Sequence, residues 1–165
     1  VKAHDFLVHE ADDQTFGLVG YQLIATLSEN GTVSRGICES DADGYLTSVT
    51  ECTKIGTTPE GTIQDFESGR NLQADDLVSM NFWTFTPRVF TEIEQQFMEF
   101  YPANKDNLKS EFYIPKVVDC MIKNQSAKVK VLKTDAKWFG VTYKEDTPTV
   151  NAALAAFHEA NLYHF

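Results

Sequence analysis

The chain of 165 residues is short of positive charge. It carries 14 Lys and Arg against 24 Asp and Glu, a formal net charge of -10. Because an acidic surface repels phosphate backbones, the sequence predicts that nucleic acid is not a partner. Any phosphate ligand has to be held against this field by local basic groups or by a divalent cation.

Cysteine is scarce as well. Cys38, Cys52 and Cys120 are far apart and odd in number, so they form neither a paired metal motif nor a disulfide framework. Three free thiols are typical of a reducing compartment, and we predict a cytoplasmic protein. No apolar run approaches the length of a membrane span, and the first residues do not resemble a signal peptide, so no membrane partner is expected.

Several common catalytic motifs are missing. The sequence contains no GxGxxG, no GxxxxGK[ST], no HExxH and no GxSxG. Its four histidines lie near the two ends, and none has a second histidine at metal-ligand spacing. A zinc protease of the HExxH type and a serine hydrolase with a nucleophile elbow are therefore not indicated.

Aromatic residues, in contrast, are abundant. Twelve Phe and a hydrophobic fraction of 42% predict a folded domain with a substantial core. Periodicity and turn residues divide the chain into elements. In order they are a strand over 16–24, a hairpin of 32–39 and 45–51, a polar excursion over 56–76 with a short hairpin at 62–66, a strand over 77–85, two helices, strands over 128–132 and 138–143, and a last helix. This order predicts a mixed α/β layer structure, and the inserted hairpin argues against a simple doubly wound fold.

Capping residues predict where the helices begin. Thr86-Pro87 and Thr147-Pro148 each offer an N-cap followed by proline in the first turn, and Ser110 is a candidate cap for the middle helix. Apolar stripes predict the buried faces of these helices. The stripes are Val89, Ile93, Phe97 and Phe100 in the first helix, Val117, Val118, Met121 and Ile122 in the second, and Val150, Leu154 and Phe157 in the last.

Three residues in or at the ends of strands are candidates for binding. Asn81 lies inside the apolar run 78–83, where an unpaired buried amide costs about 1–3 kcal/mol; it bonds either neighbouring backbone or sugar hydroxyls. Glu51 closes a strand and either accepts two hydroxyl hydrogen bonds or is a solvated strand end. Gly36 inside a strand indicates a bulge or a close approach of the backbone to a ligand.

Five longer runs are specific when they are taken together. They are LSENGTVSRG at 27–36, GYLTSVTE at 44–51, VSMNFW at 78–83, KSEFYIP at 109–115 and KWFGVTYKED at 137–146. With these runs the chain resembles the bacterial sugar-phosphate nucleotidyltransferases (nucleotide-sugar pyrophosphorylases, such as UTP–glucose-1-phosphate uridylyltransferases). The resemblance covers nearly the whole chain and is weakest in its N-terminal stretch.

The resemblance implies an activity and a fold. Such enzymes join a nucleoside triphosphate to a sugar 1-phosphate, release pyrophosphate and use Mg²⁺. Their catalytic domain is a Rossmann-like α/β/α sandwich with a mixed central sheet. By this resemblance the backbone of Gly36, the carboxylate of Glu51 and the side chain of Asn81 bind the sugar.

The run at 137–146 and Asp135 just before it carry further candidate site residues. A metal ligand of the family falls within 138–142, and Thr142 is the matching position. Asp135 is a second candidate for that role. Lys137 and Trp138 are implied as further substrate-binding residues.

Two departures from the family accompany the resemblance. Cys52 stands where relatives carry a basic residue that touches phosphate, and Lys54, on the same side of an extended strand, is the candidate substitute. The Gly-rich triphosphate loop and the main metal-binding Asp segment do not occur. We therefore expect residues 1–165 to be the C-terminal, sugar-binding portion of one catalytic domain, inactive alone and self-associating through open sheet edges and uncovered apolar faces.

Two other functions are compatible with the same residues. The first is a non-catalytic module that binds or senses a sugar or sugar phosphate. The second is an α/β unit in which Glu51 and Asn81 only satisfy local hydrogen bonds.

Overall fold

A computed structural model describes residues 2–141 and 143–162, which form a mixed α/β structure. The strands are β1 (Thr15–Gln22), β2 (Val33–Ser40), β3 (Leu46–Thr57), β4 (Ile63–Asp65), β5 (Arg70–Leu72), β6 (Leu77–Thr84) and β7 (Lys128–Thr134). The α-helices of this part are α1 (Lys2–His9), α2 (Val89–Asn104), α3 (Ile114–Lys123) and α4 (Thr147–Glu159), and two 3-10 helices span Leu23–Thr26 and Lys144–Asp146. None of these helices has the length and apolarity that crossing a membrane requires.

All seven strands belong to one sheet in the order β5-β4-β3-β2-β6-β1-β7. The β1–β7 pair is parallel and the other pairs are antiparallel, so the predicted mixed α/β class is confirmed. The β2–β3 hairpin is confirmed too, because the Asp41 carboxylate accepts hydrogen bonds from the backbone of Asp43 and Tyr45 and shapes the turn. Gly44 supplies the positive φ of 80° that this turn needs.

The polar excursion over 56–76 contains a small hairpin, β4–β5, as predicted. Ile63 and Leu72 pair across it, and both are buried. β3 runs six residues beyond its predicted end at Glu51 and pairs with β4. Three-residue strands are too short for alternation to define their limits, which is why the sequence places the hairpin only roughly.

Two hydrophobic clusters hold the sheet in place. The helix-side core packs the β1 and β7 side chains against α2 and α3; its buried members are Phe16, Leu18, Leu46, Val89, Val117, Val118, Met121, Ala127, Val129 and Val131. A second, strand-side core contains Leu23, Val33, Ile37, Cys52, Ile55, Ile63, Leu72 and Val78. Because successive residues of a strand face opposite sides of the sheet, the side chains of β2 and β3 point alternately to its two faces.

The turn of the β2–β3 hairpin reaches the far edge of the sheet. Val131 N donates to Gly44 O at 2.9 Å, and Lys130 Nζ donates to Asp43 O at 2.6 Å. The Lys130 ammonium also lies 4.7 Å from the centre of the Tyr45 ring. The middle of the β7 edge is therefore covered by the chain itself.

Helix α2 begins later than its predicted cap. Thr86 Oγ1 donates to Asp13 Oδ1 at 3.3 Å, and Arg88 occupies the N-cap position without a capping side chain, so the prediction of a Thr86 cap was wrong. Arg88 instead ties the start of the helix to Asp13 O and to the Glu92 carboxylate, at 3.0 and 2.7 Å. Of the predicted stripe, Val89 is buried, while Phe97 is 43% exposed.

Helix α3 starts at Ile114 and not at the predicted Ser110 cap. Ser110 Oγ donates to Asn104 Oδ1 at 3.1 Å, so it is committed to the preceding segment. Pro115 occupies the first turn, where a missing N–H costs nothing. The predicted burial of its apolar side is confirmed for Val117, Val118 and Met121.

The strand predicted over 138–143 was wrong for residues 138–141, which are irregular; Thr142 lies outside the described residues. Trp138 N donates to Ala25 O at 3.2 Å, which fixes this segment across the 3-10 helix of Leu23–Thr26. Residues 138–141 do not pair with a neighbouring strand, so their alternating pattern does not produce a strand.

Helix α4 forms at the predicted place, but Asp146 and not Thr147 is its N-cap residue. None of its described residues is buried. The predicted buried stripe was therefore wrong at Leu154, which is 47% exposed, although the Phe157 ring packs edge-on against Phe139 at 5.6 Å.

Helix α1 was not predicted. Only Phe6 of its eight residues is buried, so the segment has no apolar stripe that indicates a helix. Phe6 packs closely over Gly17: a β-carbon built on that glycine would lie 2.9 Å from the Phe6 ring. The three cysteines are free, as expected from their spacing.

Candidate functional site

A cavity of about 920 Å³ lies between the sheet and helix α3; we call it the Glu51 cavity. Strands β2, β3 and β6 contribute residues 34–36, 47–51, Thr53 and 79–81, and the other wall comes from α3 and the residue before it. Gly36, Glu51 and Asn81, the three residues that the resemblance assigns to sugar binding, all line this cavity. The fold thus brings together positions separated by 15 and 30 residues in the chain.

Strand register explains the convergence. Gly36 of β2 pairs with Glu51 of β3 on one side and with Ser79 of β6 on the other. A β-carbon built on Gly36 would lie 2.7 Å from Val49 Cγ1 and 3.6 Å from Glu51 Oε2. The register shifts of β2 lie elsewhere, so Gly36 is not at a bulge; its missing side chain makes room for Val49 beside the carboxylate.

Asn81 is exposed, so the prediction of a buried amide in a regular strand was wrong. Between the pairs Gly20–Ser79 and Leu18–Trp83, residues 80–82 stand opposite the single residue Val19, and β6 bulges outward. Asn81 takes a φ of 57°, a left-handed conformation that asparagine tolerates better than most residues.

The bulge fixes the orientation of the Asn81 amide. Its Oδ1 accepts a hydrogen bond from Trp83 Nε1 at 3.3 Å, and its backbone N donates to Ser79 Oγ at 3.2 Å. Within the part of the chain that the structure describes, its Nδ2 makes no hydrogen bond. This group can donate to a ligand in the cavity.

Glu51 is exposed where it lines the cavity, and the pKa of its carboxylate is shifted. Loss of water contact raises the pKa of Glu51, and the charge of Arg35 opposes this effect. The pKa of Tyr113 is raised too, mainly by a hydrogen bond with Glu111, and the charge of Glu51 adds to this shift. Tyr113, the residue before α3, lines the cavity together with this carboxylate.

Helix α3 adds two lysines to the wall of the cavity. Lys123 forms an ion pair with Asp119, with 2.7 Å between Nζ and Oδ2. Lys116 is exposed, and no described residue forms an ion pair with it. No sequence pattern indicates Lys116 or Lys123 as lining residues, because their position depends on how α3 packs; Tyr113 lies in the run at 109–115, which is the nearest signal.

Cys52 and Lys54 do not line the Glu51 cavity. The Cys52 side chain is buried in the strand-side core, on the opposite face of β3 from Glu51, and this burial raises its pKa. Lys54 forms an exposed ion pair with Glu67. A side chain at position 52 therefore cannot contact the cavity, and Lys54 is engaged elsewhere.

Lys137 and Trp138 line a second cavity, of about 690 Å³, near the 3-10 helix of Leu23–Thr26. Arg35 is its buried charged residue: Nε donates to Thr26 Oγ1 at 3.0 Å and a terminal nitrogen donates to Ser34 O at 2.7 Å. The guanidinium lies 5.2 Å from the centre of the Trp138 ring. The structure thus separates Lys137 and Trp138 from the three residues of the Glu51 cavity.

The candidate metal ligands do not meet in the described structure. The Asp135 side chain is 95% exposed, with Lys2 Nζ at 3.9 Å, and Thr142 lies outside the described residues. Over residues 2–141 and 143–162, no three His, Cys, Asp or Glu side chains are grouped so that they could hold a metal ion. These residues alone do not fit a magnesium site, and Mg²⁺ stays a prediction from the resemblance.

No protein-family model matches the chain, and no curated protein matches it either.

Proposed function

We propose that the Glu51 cavity binds the sugar of a sugar 1-phosphate. In this proposal the chain supplies the sugar side of a Rossmann-like nucleotidyltransferase domain, which transfers a nucleotidyl group from a nucleoside triphosphate to the sugar phosphate and releases pyrophosphate. The observation that carries it is the convergence of Gly36, Glu51 and Asn81 from three strands on one cavity.

The chemistry of the lining suits a hexose. A carboxylate accepts hydrogen bonds from two neighbouring hydroxyls. The Nδ2 of Asn81, which has no hydrogen-bond partner among the described residues, donates one. The glycine beside the carboxylate leaves room for Val49, which lines the same cavity. A cavity volume of about 920 Å³ falls in the range typical of small-molecule sites.

Replacement of Glu51 by Gln tests the sugar site. The change keeps the shape of the side chain but removes a charged acceptor, so we expect the affinity for glucose 1-phosphate to fall by about tenfold or more. Titration calorimetry measures it. Glu60→Gln is the control. It removes the same charge from an exposed loop that lines neither cavity.

Four outcomes separate the possible functions. If Glu51→Gln and the control bind glucose 1-phosphate with equal affinity, Glu51 is not part of the site. If the unmodified chain does not bind glucose 1-phosphate, the proposed sugar site is wrong. Pyrophosphate release from UTP and glucose 1-phosphate by the full-length gene product tests the transferase reaction. Binding without release would support a non-catalytic sugar-binding module instead.

A further inference from the structure

The Glu51 cavity needs a positive group if it binds a sugar phosphate. The chain has a net charge of -10, and the cavity itself contains the carboxylates of Glu51 and Asp119. A phosphate dianion would be repelled by both unless a cation lies beside it. Given the proposed sugar site, one residue of the cavity has to supply this cation.

The residues next to Glu51 in the chain cannot do so. Cys52 faces the strand-side core, and Lys54 is paired with Glu67. Three basic residues do line the cavity, namely Arg35, Lys116 and Lys123.

Two of these three are already engaged. The Arg35 guanidinium donates to Thr26 and Ser34 and stacks on Trp138 at the second cavity. Lys123 is neutralised by Asp119 at 2.7 Å. Lys116 has no such partner among the residues that the structure describes.

Helix α3 holds the Lys116 backbone in a fixed place beside the cavity. Its neighbours Val117 and Val118 are only 1% and 2% exposed, so the first turn of the helix is anchored in the helix-side core. Tyr113, which ends the preceding loop, lines the same cavity as Glu51. A long lysine side chain on this turn can reach a phosphate attached to a sugar that Glu51 holds.

We propose that Lys116 binds the phosphate of the sugar phosphate, so that the Glu51 cavity selects phosphorylated sugars over free ones. The lysine acts as a point charge, and its contribution decreases as salt screens it. Sugar recognition by Glu51 and Asn81 does not depend on Lys116.

Nuclear magnetic resonance titration tests this division of roles, with the Gly36 amide as the reporter. The probes are glucose 1-phosphate, glucose and inorganic phosphate. We expect Lys116→Gln to weaken glucose 1-phosphate binding by about tenfold and to leave glucose binding within about twofold. The exposed Lys105→Gln, which removes the same charge outside the cavity, should behave like the unmodified chain.

The remaining outcomes are distinguishable. If Lys116→Gln and Lys105→Gln bind glucose 1-phosphate equally well, the phosphate role of Lys116 is wrong and the sugar site stands. Loss of glucose binding together with glucose 1-phosphate binding would also overturn it, because Lys116 would then shape the cavity. If the unmodified chain binds neither sugar, the proposed function itself fails. Tight binding of inorganic phosphate without any preference for a sugar would also contradict the proposed function.

Discussion

Gly36 shows how one missing side chain determines the geometry of the candidate site. Its position between Glu51 and Ser79 is fixed by pairing on both sides of β2. An added β-carbon would lie 2.7 Å from Val49 Cγ1, closer than carbon atoms approach each other. Because Val49 is β-branched and stiff, it cannot easily rotate away.

We therefore expect Gly36→Ala to lower the free energy of unfolding by about 1–3 kcal/mol through overpacking. Urea denaturation measures it. In a Val49→Ala background the same change should cost much less, because the clashing methyl groups are gone. Equal costs in the two backgrounds would show that the contact with Val49 is not the cause.

Thr84 offers a second test at the scale of a residue. Its Oγ1 is buried and has no hydrogen-bond partner among the described residues. Thr84→Val keeps the shape and removes the unpaired hydroxyl, so we expect it to stabilise the protein by about 1 kcal/mol.

Thr26→Val is the matched control for Thr84, because Thr26 is equally buried but its hydroxyl donates to Leu23 O and accepts from Arg35 Nε. This change should destabilise the protein. Thermal melts compare the two variants. If both destabilise, the Thr84 hydroxyl is bonded after all.

At the scale of elements, the β4–β5 hairpin depends on one carboxylate. Asp65 is 2% exposed and accepts hydrogen bonds from Ser68 Oγ, Ser68 N and Lys54 N at 2.6, 3.2 and 3.0 Å. These donors, chiefly the Ser68 hydroxyl, lower the pKa of Asp65. The carboxylate thus links the turn of the hairpin to β3.

Asp65→Asn replaces one acceptor oxygen with a donor that faces other donors. We expect the free energy of unfolding to fall by about 1–3 kcal/mol near neutral pH, while the exposed Asp106→Asn changes it little. Because folding lowers the pKa of Asp65, its stabilisation is present above the unfolded pKa and is lost as the pH falls through the folded value.

The difference between Asp65→Asn and the unmodified protein should therefore shrink below about pH 4. Urea denaturation as a function of pH measures this difference. A difference that stays constant down to pH 2 would mean that the charge of Asp65 contributes nothing.

At the scale of the whole molecule, exposed apolar surface and sheet edges bear on association. Strand β7 carries Lys128, Lys130 and Lys133, and its middle is bonded to the Gly44–Tyr45 turn, which limits pairing with another chain. Helix α2 nevertheless exposes Phe90, Met98 and Tyr101 by 71%, 69% and 56%.

We keep the expectation of self-association and place it on this outer face of α2 rather than on β7. Light scattering at rising concentration should give a mass above that of one chain, and Phe90→Ser with Met98→Ser should reduce it. A single-chain mass at high concentration in the unmodified protein would contradict the expectation.

Local sequence was sufficient for the elements whose signals lie close together in the chain. The Asp-Gly turn, the β2–β3 hairpin, β1 and the buried side of α3 follow from turn chemistry and from patterns within a few residues. Several of the errors concern caps and edges. Thr86 and Ser110 bond to Asp13 and Asn104 instead of capping helices, and residues 138–141 are irregular, with Trp138 bonded to Ala25.

The sequence by itself determined the mixed α/β class, the hairpin and the identity of three candidate sugar-binding residues. Only the tertiary structure decided that Gly36, Glu51 and Asn81 share one cavity, that Cys52 faces away from it and that Lys116 faces into it. Strand register and helix packing set these relations. They depend on contacts between residues far apart in the chain, which no local pattern specifies.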